Sequence, residues 1–453
     1  MAKKAKTIYL CTNCGAESPK WVGKCPYCGE WNTYKEQKIS KGTADPKYSE
    51  DSPQKIQKLT EISIEKEKRL STHYSEVDRV LGGGIVHGSL ILVGGEPGIG
   101  KSTLALQIAL QSKETRTLYV SGEESPRQIK LRAGRLGEEH ENIYLLNETE
   151  LDNVLNQCSE FKPDVLIIDS IQTLFSQNID STAGSVTQVR ECAAQLLKFA
   201  KRSNTPVLLI GHINKDGNIA GPKVLEHIVD VVLQFEGDSN YDYRVLRSLK
   251  NRFGSTSEIG IFEMHNDGLK EVHNPSKLLI NLRQNGLSGV SIAATLDGMR
   301  PFMVEIQSLV SPSVYGNPQR SATGFDIRRL SMLLAVLEKR SGLNIYNKDV
   351  FLNIAGGIKV VDPAVDLSIL TSLLSSVLDK PVPENVCFAG EVGLSGEIRA
   401  VNQVENRLSE AEKIGFKNIY ISGHHKINPD NYNNIKIYKV YNVGDLLRHL
   451  FRR

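Results

Sequence analysis

One ten-residue run limits what this chain can fold into: Gly94-Gly95-Glu96-Pro97-Gly98-Ile99-Gly100-Lys101-Ser102-Thr103. It contains the pattern G-x-x-x-x-G-K-[ST] from Gly95 to Ser102. An apolar run at 90–93 precedes it, and residues 104–109 follow at helical spacing. Strand, glycine loop and helix in that order are the context the pattern needs. Glycines let the backbone bend around a phosphate and turn its N–H groups inward, and a Cβ at Gly98 or Gly100 would obstruct that approach. The helix opening at Lys101 adds unpaired N–H groups and the positive end of its dipole. Gly95, Glu96, Pro97, Gly98, Ile99, Gly100, Lys101, Ser102 and Thr103 are therefore the expected ATP cradle. Lys101 is expected at the β- and γ-phosphates, and the Ser102 hydroxyl on Mg²⁺.

A chain of 453 residues has room for about three domains of ~150 residues. Its net charge of +3 is close to neutral, so any surface for nucleic acid must be local. No apolar run approaches the ~20 residues of a membrane span. The basic start, Met1 to Lys6, lacks the apolar stretch of a secretion signal, and a cytoplasmic location is expected.

Four of the seven cysteines fall in the spacing Cys11-x2-Cys14-x10-Cys25-x2-Cys28, and Gly15 and Gly29 follow the two pairs. Such glycines allow the tight turns that aim paired thiolates at one ion, and four thiolates suit tetrahedral Zn²⁺. Trp21, Trp31, Lys20 and Lys24 suit either contact with DNA or a partner, or the packing and solubility of a small metal-stabilised module. We favour a structural zinc with a partner role. Cys158, Cys192 and Cys387 read as buried thiols. Residues 36–58 are polar, with too few apolar groups to order themselves, and read as a linker.

After the glycine loop, strand-like runs at 117–120, 143–146, 165–168 and 206–210 alternate with helical patterns near 125–136, 151–160 and 184–202. Alternation of this kind predicts an α/β fold, a parallel sheet with helices on both faces and ligands at the carboxyl ends of the strands. The run Val165-Leu166-Ile167-Ile168-Asp169 ends in a carboxylate suited to the Mg²⁺ water shell. Another strand ends in Glu123-Glu124. Glu123 is expected to activate the attacking water, with Glu124 the lesser candidate.

Taken together, Leu81-Gly82-Gly83-Gly84-Ile85, the glycine loop, Tyr119-Val120-Ser121-Gly122-Glu123-Glu124-Ser125, Lys250-Asn251-Arg252-Phe253-Gly254 and the four-cysteine finger resemble the bacterial RadA/Sms branch of the RecA ATPases. The resemblance covers nearly the whole chain apart from the linker. It implies a RecA-like core at 59–274 between a zinc finger at 1–35 and a Lon-protease-like α+β domain at 275–453. It also implies a DNA-dependent ATPase, a homo-oligomeric and hexameric ring, acting on single-stranded and branched DNA in recombinational repair alongside the recombinase RecA. Two polar segments, 176–190 and 214–223 with Lys215 and Lys223, are the implied DNA loops. Lys250 and Arg252 are implied at a subunit interface, giving a cation in trans to the γ-phosphate and contacts to DNA. Without the resemblance, that turn reads as a hairpin with solvated charges. Gly211-His212 suits either a γ-phosphate sensor or a packed histidine.

In the Lon-like region the serine-bearing turn corresponds to Asp362-Pro363-Ala364-Val365-Asp366-Leu367, which holds no serine. The lysine-bearing helix corresponds to residues 401–408, with Glu405 at the lysine position. A carboxylate without a hydroxyl beside it cannot replace a Ser–Lys dyad. A scaffold is therefore expected, with Arg399, Arg407 and Lys413 offered to DNA or simply solvated. The rival readings are an ATP-dependent protease and a signalling ATPase with no DNA role.

Overall fold

The structure is a computed structural model that describes residues 6–11, 17–27, 29–39, 69–212, 225–237, 243–280, 286–313, 318–428 and 431–451. Cys14, Cys28, Lys215 and Lys223 lie outside the described residues. The chain divides into two compact units, Met1–Glu236 with Arg244–Glu271, and Gly237–Tyr243 with Val272–Arg453.

In the first unit, the strand Lys6–Cys11 pairs antiparallel with Glu17–Ser18 and with Tyr34–Ile39. The last strand carries the finger's sheet past residue 35, into the segment whose composition reads as linker. Repeated cross-strand pairing, from Cys11↔Tyr34 to Lys6↔Ile39, orders backbone that has few apolar side chains of its own.

Nine strands of the same unit form one sheet among the described residues. Six are parallel, in the order Val231–Glu236, Leu90–Gly95, Val207–His212, Val165–Asp169, Thr117–Ser121 and Ile143–Asn147. The alternating pattern thus gives the expected doubly covered sheet. Leu90, Leu92, Leu118, Val120, Leu166 and Ile168 pack on one face. Ile91, Val93, Tyr119, Ile167, Leu208 and Ile210 pack on the other, against the helices Lys101–Gln111 and Pro126–Leu136. The second helix starts at a capping box, in which Ser125 Oγ accepts from the Gln128 N–H.

The second unit is built on a sheet of seven strands among the described residues. Its larger core joins the helices Ile327–Ser341, Asp366–Leu378 and Val443–Leu450 to one side, and a smaller cluster under Val404–Ile414 fills the other. This is the expected α+β domain.

Candidate active site

Parallel pairing aligns the functional strand ends. Gly95 is opposite His212, and Ser121 is opposite Asp169. Because side chains alternate across a strand, Tyr119, Ser121, Ile167 and Asp169 share one sheet face. That face meets the helix that begins at Lys101.

The loop between them requires glycine at two positions where the backbone is left-handed. Gly98 has φ +78°, and a Cβ there would meet nothing within 4 Å, so its left-handed backbone is the constraint and the space above it stays open. Gly100 has φ +114°, and a Cβ there would sit 2.7 Å from Met264 Cε. Lys101 is buried and donates to the carbonyls of Gly95 and Glu96, each at 2.8 Å. Burial brings its ammonium down to about 8, against the upward pull of Asp169 and Glu123. An incoming phosphate would offer this cation a charged partner in place of two carbonyls.

Ser102 donates to Asp169 Oδ1 at 3.1 Å. A hydroxyl and a carboxylate converging at the foot of a phosphate loop are hard oxygen donors, and they fit Mg²⁺. Ser170 donates to Glu123 Oε1 at 2.9 Å, which ties that carboxylate to the residue beside Asp169. Glu124 points elsewhere. Both its oxygens face Arg132, at 3.0 and 2.9 Å. Glu123 is thus the carboxylate linked to the strand end that carries Asp169.

Sequence reasoning missed two members of this cluster. Tyr119 is fully buried, and its hydroxyl donates to Asp169 Oδ2 at 2.5 Å. Arg132 in turn donates to the Tyr119 oxygen at 3.3 Å. Burial, then the charge of Asp169, pushes the tyrosine hydroxyl well above its usual 10, so it remains a donor. The one sequence signal is parity. Tyr119 stands two residues before Ser121, on the face where Asp169 also projects.

Lys250 and Arg252 differ in their surroundings. The Lys250 ammonium donates to the carbonyls of Glu226 and Val229 at 2.6 and 2.8 Å, so it is not a solvated charge. Desolvation, then repulsion from Arg252, lowers its proton affinity. Arg252 is over half exposed and lies 3.6 Å from Asp230 Oδ1. Asp230 is buried and also accepts from Lys201 at 2.8 Å and from the Leu90 N–H at 3.1 Å. The turn that carries these cations docks on the Gly82–Gly84 region through Arg69, which donates to Leu81 O and Phe253 O at 3.0 and 2.7 Å.

Three expectations need correction. The segment 176–190 is not a loop throughout, because the helix Val186–Ser203 begins inside it. Buried Gln188 draws the preceding turn onto that helix, accepting from the Ser176 N–H and donating to Ser176, Ile179 and Ser181 carbonyls. In the second unit, Arg407 is not part of a basic surface. It is 2 % exposed and is bound to Asp362, Ala294 O and Asn402 O. Finally, Arg407 is the side chain of the helix Val404–Ile414 that reaches the 362–367 turn, whereas Glu405 is exposed. Arg399 and Lys413 are exposed, and both are paired with neighbouring glutamates. Ser368 is buried and Ser395 bonds Glu397, so neither supplies a dyad.

In the finger, Cys11 and Cys25 are buried in one small cluster with Tyr34. Cys11 Sγ lies 3.1 Å from Thr33 Oγ1, and Cys25 Sγ lies 3.6 Å from the Tyr34 hydroxyl. Gly29 adopts φ +77° and donates to Cys25 O at 2.9 Å, giving the tight turn expected after the second cysteine pair. Soft sulfur donors on such a turn fit zinc. Cys158, Cys192 and Cys387 are buried, and burial pushes the first two thiols up to about 12.

Three family models match separate stretches of the chain. Residues 56–218 match the AAA domain family, residues 9–36 the rubredoxin metal binding domain, and residues 312–424 the family of subunit ChlI of Mg-chelatase. Among solved structures, a KaiC-like protein of Pyrococcus horikoshii OT3 aligns with 45 % of this chain and 99 % of its own, at 20 % identity and TM-score 0.38. The RadB recombinase aligns with 45 % of this chain and 100 % of its own, at 24 % identity and TM-score 0.37. The DNA repair protein RadA of Bacillus subtilis (strain 168) is 48 % identical over 98 % of both chains. RadA of Listeria monocytogenes is 48 % identical over 99 % of both. With near-half identity running from the cysteine finger to the Lon-like unit, this chain belongs to the RadA family of DNA repair proteins.

Proposed function

We propose that the chain is a DNA-dependent ATPase of recombinational repair, a motor that moves on single-stranded DNA and promotes branch migration of recombination intermediates. The observation that carries this reading is the convergence of Lys101, Ser102, Asp169 and Glu123 at the carboxyl ends of parallel strands. Mg²⁺, when bound, supplies charge neutralisation for phosphoryl transfer. Lys101 holds the β- and γ-phosphates, Ser102 and Asp169 supply oxygen to the metal shell, and Glu123 takes the proton of the attacking water. Glu124, held by Arg132, is spared that role. The four cysteines Cys11, Cys14, Cys25 and Cys28 hold one Zn²⁺.

In this reading the working species is a homo-oligomeric ring, a hexamer, with RecA as its recombinase partner. Lys215, Lys223 and the exposed part of the 176–185 turn track the phosphate backbone without reading bases. Arg252 is supported as the trans cation by its exposure, whereas Lys250 anchors the turn that carries it. A protease role is disfavoured by the Arg407–Asp362 pair, which occupies the ground a Ser–Lys dyad would need.

The deciding experiment measures ATP turnover by the full chain with and without single-stranded DNA. Stimulation by DNA, abolished in Lys101→Ala, is expected. Turnover indifferent to DNA would favour a signalling ATPase, and near-normal turnover in Lys101→Ala would overturn the ATPase site itself.

A further inference from the structure

Asp169 has two oxygens in different surroundings. Oδ1 faces Ser102 at 3.1 Å, on the side open to the nucleotide loop. Oδ2 faces inward and accepts from Tyr119 at 2.5 Å. Tyr119 has no exposure to water, so its hydroxyl cannot exchange this partner for solvent. Arg132 donates to the Tyr119 oxygen at 3.3 Å, and its Nη2 lies 3.8 Å from Asp169 Oδ2. The same guanidinium also contacts Glu124, at 3.0 and 2.9 Å. A hydroxyl that accepts from a guanidinium becomes a stronger donor, because hydrogen bonds in series polarise one another.

Resting on the nucleotide-site reading above, we propose that Tyr119 and Arg132 are positioning residues for the Mg²⁺ centre. Arg132 orients Tyr119. Tyr119 fixes Asp169 with Oδ1 turned towards the metal shell, and the same guanidinium keeps Glu124 out of it. Neither side chain needs to touch nucleotide. Outer-shell partners that orient a ligating carboxylate typically carry ~10–100-fold of metal affinity. The helix Pro126–Leu136, which bears Arg132, is thereby a structural part of the metal site, although it supplies no ligand to it.

The test reads metal dependence rather than turnover. Binding of a fluorescent, non-hydrolysable ATP analogue to the full chain is measured in EDTA and across a Mg²⁺ titration. Tyr119→Phe is expected to bind the analogue normally in EDTA, and to need about tenfold more Mg²⁺ for half of the metal-dependent gain in affinity. Arg132→Gln is expected to shift the midpoint in the same direction, and Arg132→Lys, which keeps one cationic donor, to restore part of it. Arg132 is near the surface, so its variants keep the test informative if the Tyr119 variant folds poorly. Midpoints unchanged in folded Tyr119→Phe or Arg132→Gln overturn the inference. A wild-type chain that binds no analogue at any Mg²⁺ concentration instead overturns the nucleotide-site reading, and the inference falls with it.

Discussion

Arg407 reaches out of the helix Val404–Ile414 to Asp362, with Nη1 2.5 Å from Oδ2 and Nη2 3.2 Å from Oδ1. The carboxylate is further held by the Thr295 hydroxyl at 3.0 Å and by the Leu296 and Ala364 N–H groups at 2.8 and 3.1 Å. A two-pronged guanidinium–carboxylate pair, with its remaining lone pairs satisfied, is a structural clamp.

Removing Arg407 leaves the Asp362 carboxylate its three neutral donors but no counter-ion in a largely buried site. Arg407→Leu is expected to destabilise the second unit by about 3–5 kcal/mol, read from urea unfolding followed by circular dichroism. A loss below about 1 kcal/mol would place this pair with surface ion pairs. Arg407→Lys is expected to show no peptidase activity on casein, because the facing residue is a carboxylate with no nucleophilic hydroxyl.

Lys101 titrates at about 8 rather than the ordinary 10.5. Below pH 8 the folded and unfolded chains both carry its proton. Between those two values the unfolded chain binds more protons, so the cost of burying the charged Lys101, fully present below pH 8, is relieved as pH rises. Carbamylation by cyanate, followed by peptide mass analysis, is expected to show a Lys101 midpoint near pH 8 and protection by ATP with Mg²⁺. A midpoint near that of exposed lysines would contradict the burial argument.

Zinc content provides an independent check on the finger. Elemental analysis is expected to find one Zn²⁺ per chain and none after Cys25→Ala with Cys28→Ala. ATP binding is expected to survive, because the nucleotide loop belongs to the nine-stranded sheet and Cys11 to a separate three-stranded one. Retention of metal in the double variant would rule out this ligand set.

Arg252→Ala is expected to bind nucleotide normally, since Lys101 and Ser102 are untouched, and to lose DNA-stimulated turnover by ~10³-fold. Mixing it with Lys101→Ala subunits is expected to restore part of that turnover, as each supplies what the other lacks across an interface. Co-assembly without any recovery would confine Arg252 to its own subunit.

Motifs whose function is local were legible in the sequence. The glycine loop, the carboxylates closing apolar strands and the paired cysteines each state their chemistry within a few residues. Tyr119, Arg132 and Arg407 were not legible, because their roles depend on which strands pair and which helix crosses them. Arg407 read as a surface charge because helical spacing says which residues share a face, but not which face an ion partner can bury. Gln188 was hidden for a similar reason. A polar run reads as loop until one buried amide gathers its backbone onto the next helix.

Asp230 is a junction where three parts of the molecule meet on one carboxylate. It receives the first amide of the strand leading to the nucleotide loop, the Lys201 ammonium and the exposed Arg252 guanidinium. An anion that draws Arg252 outward would remove one positive charge from a buried carboxylate, leaving Lys201 and the Leu90 amide to balance it. The strand that feeds the glycine loop and the exposed Arg252 guanidinium therefore share one buried counter-ion.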